Sequence, residues 1–277
     1  MSSLTATAEP QLTPTPPDRP GYKVNGWRVL RSEWAKLWSL RSTWITLTLG
    51  LLFLLVFGLI VSLQFNAGNL DRDFATSKAV DLSLFGIPFA QLALGVLGVL
   101  VMAGEYSTGM IRSTLAAVPR RLPVLWSKAG LYGLVATAVG TAGVAITFLV
   151  GNRIVSGTSA AQSLSDSGVV RSLLGAGLYL GLIGVTCVAL GALLRSVAGG
   201  ISVLVGVFVL APGLTRLLPS SWQDNVGPYL PSNAGESMYT LTPDPSALSP
   251  GAGLAVILCW TVLALAGAAY RLKRKDV

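Results

Sequence analysis

The chain has 277 residues, of which 52% are hydrophobic and only 12% charged, with a mean hydropathy of +0.65. A soluble globular domain carries roughly 25% charged residues, so the composition excludes that class and predicts an all-α membrane protein. The net charge of +8 is distributed as membrane topology and contact with anionic lipid require, not as a nucleic-acid footprint.

Residues 1–20 hold Pro10, Pro14, Pro16, Pro17 and Pro20 among Ser and Thr. That mixture cannot bury a core, and it predicts a disordered tail; residues 21–277 read as one transmembrane domain. Between Gly26 and Ser42, Trp27, Leu30, Trp34, Leu37 and Trp38 recur at helical spacing, with Arg28, Ser32, Glu33 and Lys36 on the opposite side. This predicts an interfacial amphipathic helix over 26–42, its indoles at headgroup depth and cations such as Arg31 near anionic lipid. The stripe fits a plain anchor as well as a lever that touches a cytoplasmic partner.

Apolar runs of about 20 residues, enough to cross a hydrocarbon core, lie at 44–63, 84–103, 129–150, 172–194, 197–216 and 251–270. The first is longer than a signal-peptide core and lacks a small-residue cleavage pattern, so it is expected to remain as an anchor. The fourth and fifth runs meet at Arg195 and Ser196, where one long kinked helix, and hence five spans, is the competing reading. Charge favours six. With the N-terminus inside, the inner segments hold 15 of the 20 basic residues and the outer ones seven of the 12 acids. The positive-inside rule then places both termini in the cytoplasm of a multi-pass cell-membrane protein.

Within the spans, Gln91 is the most polar deep residue, and no Asp, Glu, Lys or Arg falls away from the ends, which argues against proton or sodium coupling. Gly177, Gly181, Gly184 and Gly191 make a small-residue stripe expected to serve close helix packing. Cys187 and Cys259 both fall inside spans and read as small apolar residues. The outer segment 217–250 alternates Trp222, Tyr229 and Tyr239 with prolines, predicting short helices near the interface.

Several chemistries are missing. Without histidine there is no imidazole base, no Ser-His-Asp triad and no H-E-x-x-H zinc site. Two distant cysteines do not make a metal site, and without a Gly-Lys dipeptide there is no P-loop for ATP. An intramembrane enzyme is disfavoured because nucleophile-base pairs are lacking. Work done by such a chain would draw its energy from a bound subunit.

The stretch GEYSTGMIRSTLAAVPRR, Gly104 to Arg121, follows the second span. Read as helix it continues from that span to Val118, with Ile111, Leu115 and Val118 on a narrow apolar face that needs a surface to bury it, and Pro119 ends it. Glu105, at the membrane edge, is placed to pair with a nearby Arg or Lys. The run GEYSTGMIRSTLAAVPRRLPVLWSKA resembles the segment between the second and third spans of type 2 ATP-binding-cassette (ABC) exporter permeases, the small bacterial ones in particular. LRSEWAKLWSLRSTW resembles the amphipathic helix that enters their first span, and LPSSWQDNVGPYLPSNAG their extracellular segment before the last.

The resemblance covers nearly the whole chain beyond residue 20 and implies a permease that is not itself an enzyme. It works as a homodimer or heterodimer with a second permease, and a separate cytoplasmic ABC ATPase subunit holds the ATP; no cofactor is expected in this chain. It further implies that the quoted segment couples ATPase movement to the spans through Glu105, Tyr106, Gly109, Arg112, Leu115, Pro119 and Arg121. The interfacial helix, with Trp27, Arg31, Trp34 and Trp38, is expected to receive the same motion. Neither residues nor resemblance name a substrate. The rival reading is a non-transporting scaffold or sensor that recruits a cytoplasmic regulator through the same surface.

Overall fold

The computed structural model describes residues 26–70, 74, 77–117, 121–215, 217–242 and 246–274, with backbone alone for 115–117. The expected tail 1–20 and Pro119 lie outside the described residues. All regular structure among the described residues is helical, and six helices are long and apolar enough to cross a membrane.

Helix α1, Gly26–Ser39, ends where Leu40 turns extended, and α2, Arg41–Asn66, leaves at a new angle. The second span is built from α3, Ala79–Leu84, and α4, Ile87–Ser107. Gly86 lies between them against α2, where a Cβ would meet the Leu54 Cα and the Phe53 carbonyl oxygen at 2.7 Å. Pro88 opens α4, where its missing N–H costs no helical bond. Helix α5 is the short Met110–Ala117. Helix α6 runs Arg121–Ile154, and its 34 residues extend about 51 Å, well beyond a core about 30 Å thick. Helix α7, Val169–Leu194, closes on Arg195 in the left-handed region (φ 55°).

The fourth and fifth spans are separate helices, which decides for six over five. Ser196 caps α8, Val197–Val205, by accepting a hydrogen bond from the Gly199 amide at 3.2 Å. A widened π-turn, Gly206–Leu210, then leads into α9, Ala211–Thr215. Its cause is Pro212, which has no N–H for the Phe208 carbonyl and whose ring crowds that turn. Beyond it come α10, Ser220–Asn225, a single 3₁₀ turn, α11, Pro231–Tyr239, and the last span α12, Pro250–Arg274.

Helices α4 and α7 are the most buried spans and α8–α9 the least. The glycine stripe packs as its spacing requires: a Cβ on Gly177 would meet Thr141 Oγ1 at 1.8 Å, and one on Gly181 would meet Thr137 Oγ1 at 1.9 Å, both on α6. The Arg121 guanidinium donates to the Leu272 carbonyl at 3.2 Å, and Arg271 to that of Leu193. These contacts bring the start of α6 and the ends of α7 and α12 together, while Lys36 and Thr114 join α1 to α5 nearby. The basic segments therefore share one end of the bundle, called here the basic end. At the opposite end α11 re-enters the bundle: a Cβ on Gly235 would meet the Tyr179 ring at 1.9 Å, about 15 Å along α7 from its start.

Candidate functional site

Four charged side chains converge under α1 at the basic end. The Lys128 ammonium lies 2.5 Å from Glu33 Oε2 and 2.7 Å from Glu105 Oε1. Lys36 donates to Glu33 Oε1 at 2.9 Å, to Glu105 Oε1 at 3.0 Å and to Thr114 Oγ1 at 3.1 Å. Glu33 and Glu105 are each 4% exposed and Lys128 3%. Two carboxylates and two ammonium groups balance formally, and each cation bridges both acids. Mutual pairing of this kind is what makes buried charge tolerable, since an unpaired member would bear its desolvation alone.

The quartet joins α1, α4 and α6, residues 95 positions apart in sequence at the widest, and Lys36 extends it to Thr114 of α5. Burial pulls the Lys36 ammonium down, but hydrogen bonding and attraction from Glu33 and then Glu105 outweigh it and hold its pKa above the ordinary lysine value. The helices reach the site because they outrun the hydropathy runs. Helix α4 continues to Ser107, carrying Glu105, and α6 begins at Arg121 rather than 129, which puts Lys128 two turns inside it. The span bounds read from hydropathy are thus too short, and Glu105 and Lys128 are buried in the second and third spans near their basic end, in keeping with charge confined to span ends.

The face of α1 also differs from the amphipathic reading. Its protein-facing side carries Val29, Glu33 and Leu37, all buried, whereas Trp27 is 72% exposed and Trp34 and Arg31 are exposed. Trp38, half-buried, lies between Trp34 and Trp44, with ring centroids 5.4 and 4.9 Å away. Glu33 and Lys36, expected on the side opposite the apolar stripe, are the links to the bundle. Pattern analysis weighs only hydropathy, and the outward tryptophans dominate it.

Helix α4 does not run on into α5, contrary to the continuous helix expected. Ser107 and Thr108 hydroxyls turn back to the Gly104 carbonyl, and Gly109 takes a left-handed φ of 72° that favours glycine. Nothing lies within 4 Å of a Cβ built there, so Gly109 is a bend and not a close approach. Ile111 is 2% exposed in the chain's own core, so this one member of the expected apolar face is covered from within; the Val118 position lies outside the described residues. Thr114 is buried beside it, while Met110, Arg112 and Ser113 face outward. The Leu115 side chain lies outside the description. Tyr106 points away from the quartet, its ring 5.3 Å beneath the Arg195 guanidinium. Arg121 ties α6 to α12.

At the opposite end two cavities, of about 390 and 550 Å³, adjoin each other along Glu236, Thr240 and Thr242. Gln91 opens to neither: it is buried and accepts the Tyr179 hydroxyl at 2.6 Å. Among the described residues no three metal-ligating side chains cluster. Comparison of the chain with protein-family models and with curated proteins gives no match.

Proposed function

We propose that this chain is the permease subunit of an ABC exporter, forming the substrate pathway across a bacterial cell membrane and driven by a separate cytoplasmic ATPase. One observation carries the reading. A short helix, α5, packs at the basic end behind a glycine bend, with its inner face fixed through Thr114 and the half-buried Lys36 to the charge quartet. A force applied to its outer face at Met110, Arg112 and Ser113 passes directly to α1, α4 and α6. The order of elements supports the same reading: an interfacial helix before the first span, a short helix between the second and third, and a re-entrant helix before the last. These are the three places where the sequence resembles such permeases.

In this reading the basic end is cytoplasmic, ATP is bound by the partner, and the pathway is completed by a second permease, identical or not. The cavities against Glu236 form its outer mouth. Co-expression tests the proposal: a tagged chain produced with an ABC ATPase from the same genome purifies with its cognate ATPase as a complex that hydrolyses ATP. Arg112→Glu reduces capture of that ATPase while leaving the chain folded, because Arg112 is exposed. A chain that never retains the ATPase, or that binds it equally with Glu at position 112, contradicts the proposal.

A further inference from the structure

The larger of the two cavities at the end opposite the quartet, about 550 Å³, lies between the start of the second span and re-entrant α11. Two carboxylates line it from facing elements, Asp81 of α3 and Glu236 of α11, together with the rings of Phe85, Phe89 and Tyr239. Among the described residues no Lys or Arg lines it. Neighbouring cations turn to backbone instead: Lys78 donates to the Ser159 carbonyl at 2.9 Å, and Arg171 to those of Met238 and Thr240. Asp81 Oδ2 accepts only the Lys78 amide, at 3.1 Å. Tyr239 supplies an independent sign of a ligand. The residue is 8% exposed, and its hydroxyl has no hydrogen-bond partner among the described residues. Unlike the hydroxyl of Tyr106, which is sealed off, that of Tyr239 keeps accessible surface, and the cavity it lines is where a partner can reach it. Glu236 stands three residues before it on α11, on the same face.

These features select a ligand class. Two carboxylates with no lining cation repel an anion and attract positive charge. A bare metal ion finds no cluster of three ligating side chains among the described residues and gains nothing from the rings. Phe89 stacks one face on Phe57, with centroids 3.9 Å apart, and Phe85 is 44% exposed, so aromatic surface remains for an apolar body or a cation. Ammonium N–H groups are donors, suited to the carboxylates and to the Tyr239 hydroxyl oxygen. We infer that the cavity binds an organic ammonium ion, its N–H groups donating to Asp81, Glu236 and Tyr239 while its apolar body lies against Phe85 and Phe89. The inference goes beyond the exporter reading and does not depend on an ATPase.

The test uses the full chain, without any ATPase, in phosphatidylcholine nanodiscs. Phenethylammonium bearing a diazirine on its ring is photolysed with it, and adducts are mapped by peptide mass spectrometry. Adducts are expected on the peptide containing Phe85 and Phe89, and excess phenethylammonium removes them. Phenethyl alcohol and phenylacetate, which keep the ring and lose the positive charge, compete at least about tenfold less well. Glu236→Gln lowers labelling about tenfold and Tyr239→Phe about fivefold. Because the Tyr239 hydroxyl bonds to no described residue, its removal leaves the unfolding temperature unchanged, which separates loss of a ligand contact from loss of the fold. Labelling absent from this peptide, competition by the alcohol or the carboxylate equal to that of the ammonium, or unchanged labelling of either variant overturns the inference. Such a result leaves the exporter proposal standing, just as a failed co-purification leaves this site standing.

Discussion

The two ends of this bundle are joined by different physics. At the basic end, long side chains reach across gaps between α1, α4 and α6 to meet as charges, and a pocket remains beside them. Toward the opposite end, backbones touch. Glycines of α7 receive the threonines of α6, Gly235 of α11 lies on the Tyr179 ring, and Arg171 donates to the carbonyls of Met238 at 3.1 Å and Thr240 at 3.3 Å. The first kind of joint fails when a partner is removed, and the second when volume is added. A short helix clamped by charge can thus move with its neighbours as a unit, while the seam behind it holds its register by steric fit.

Substitutions can break this contrast. The largest loss is expected for Lys128→Met, which leaves Glu33 and Glu105 buried with one cation between them; about 3–5 kcal/mol is typical for removing one member of a buried pair, read by thermal unfolding in detergent. The double variant Lys128→Met, Glu33→Gln should recover part of that loss. Gly181→Val comes next, since its Cβ meets Thr137 Oγ1 at 1.9 Å; overpacking costs about 1–3 kcal/mol, and Thr137→Ala restores part of it. Tyr179→Phe leaves Gln91 without its donor and costs about 1–2 kcal/mol in the same assay.

The smallest effect is alkaline. A lysine whose folded pKa is raised contributes stability that is fully present below its unfolded value, about 10.4. For Lys36 that contribution disappears as pH rises through the higher folded value. Unfolding temperature should therefore fall more steeply above pH 10 in the parent chain than in Lys36→Met, and parallel slopes would remove Lys36 from the account.

Much of the fold was legible because hydropathy is a long-range average. Six runs of apolar residues gave six spans, and the grouping of cations foretold which segments share an end, as the Arg121–Leu272 and Arg271–Leu193 contacts bear out. Span boundaries were less legible, because Glu105 and Lys128 depress local hydropathy while their pairing keeps them inside helices. The site was half legible. Glu105 was singled out as a residue seeking a cation, but its partners Lys36 and Lys128 carry no local pattern, the bend at Gly109 was read through as continuous helix, and Glu33 sat on the side of α1 opposite its tryptophan stripe. Only tertiary packing turns that side inward. The π-turn before Pro212 had a sequence signal in the proline itself, but nothing in the chain says whether a kink or a widened turn absorbs it.

The central claim is that the quartet makes α1 and α5 one body. Spin labels at Arg31→Cys and Ser113→Cys, both exposed positions, in a chain with Cys187→Ala and Cys259→Ser, measure the separation of those helices by pulsed electron paramagnetic resonance. The account predicts one narrow distance distribution in the parent chain and a broad one when Lys128→Met is added. A broad distribution in the parent chain, or a narrow one that Lys128→Met leaves untouched, would contradict it.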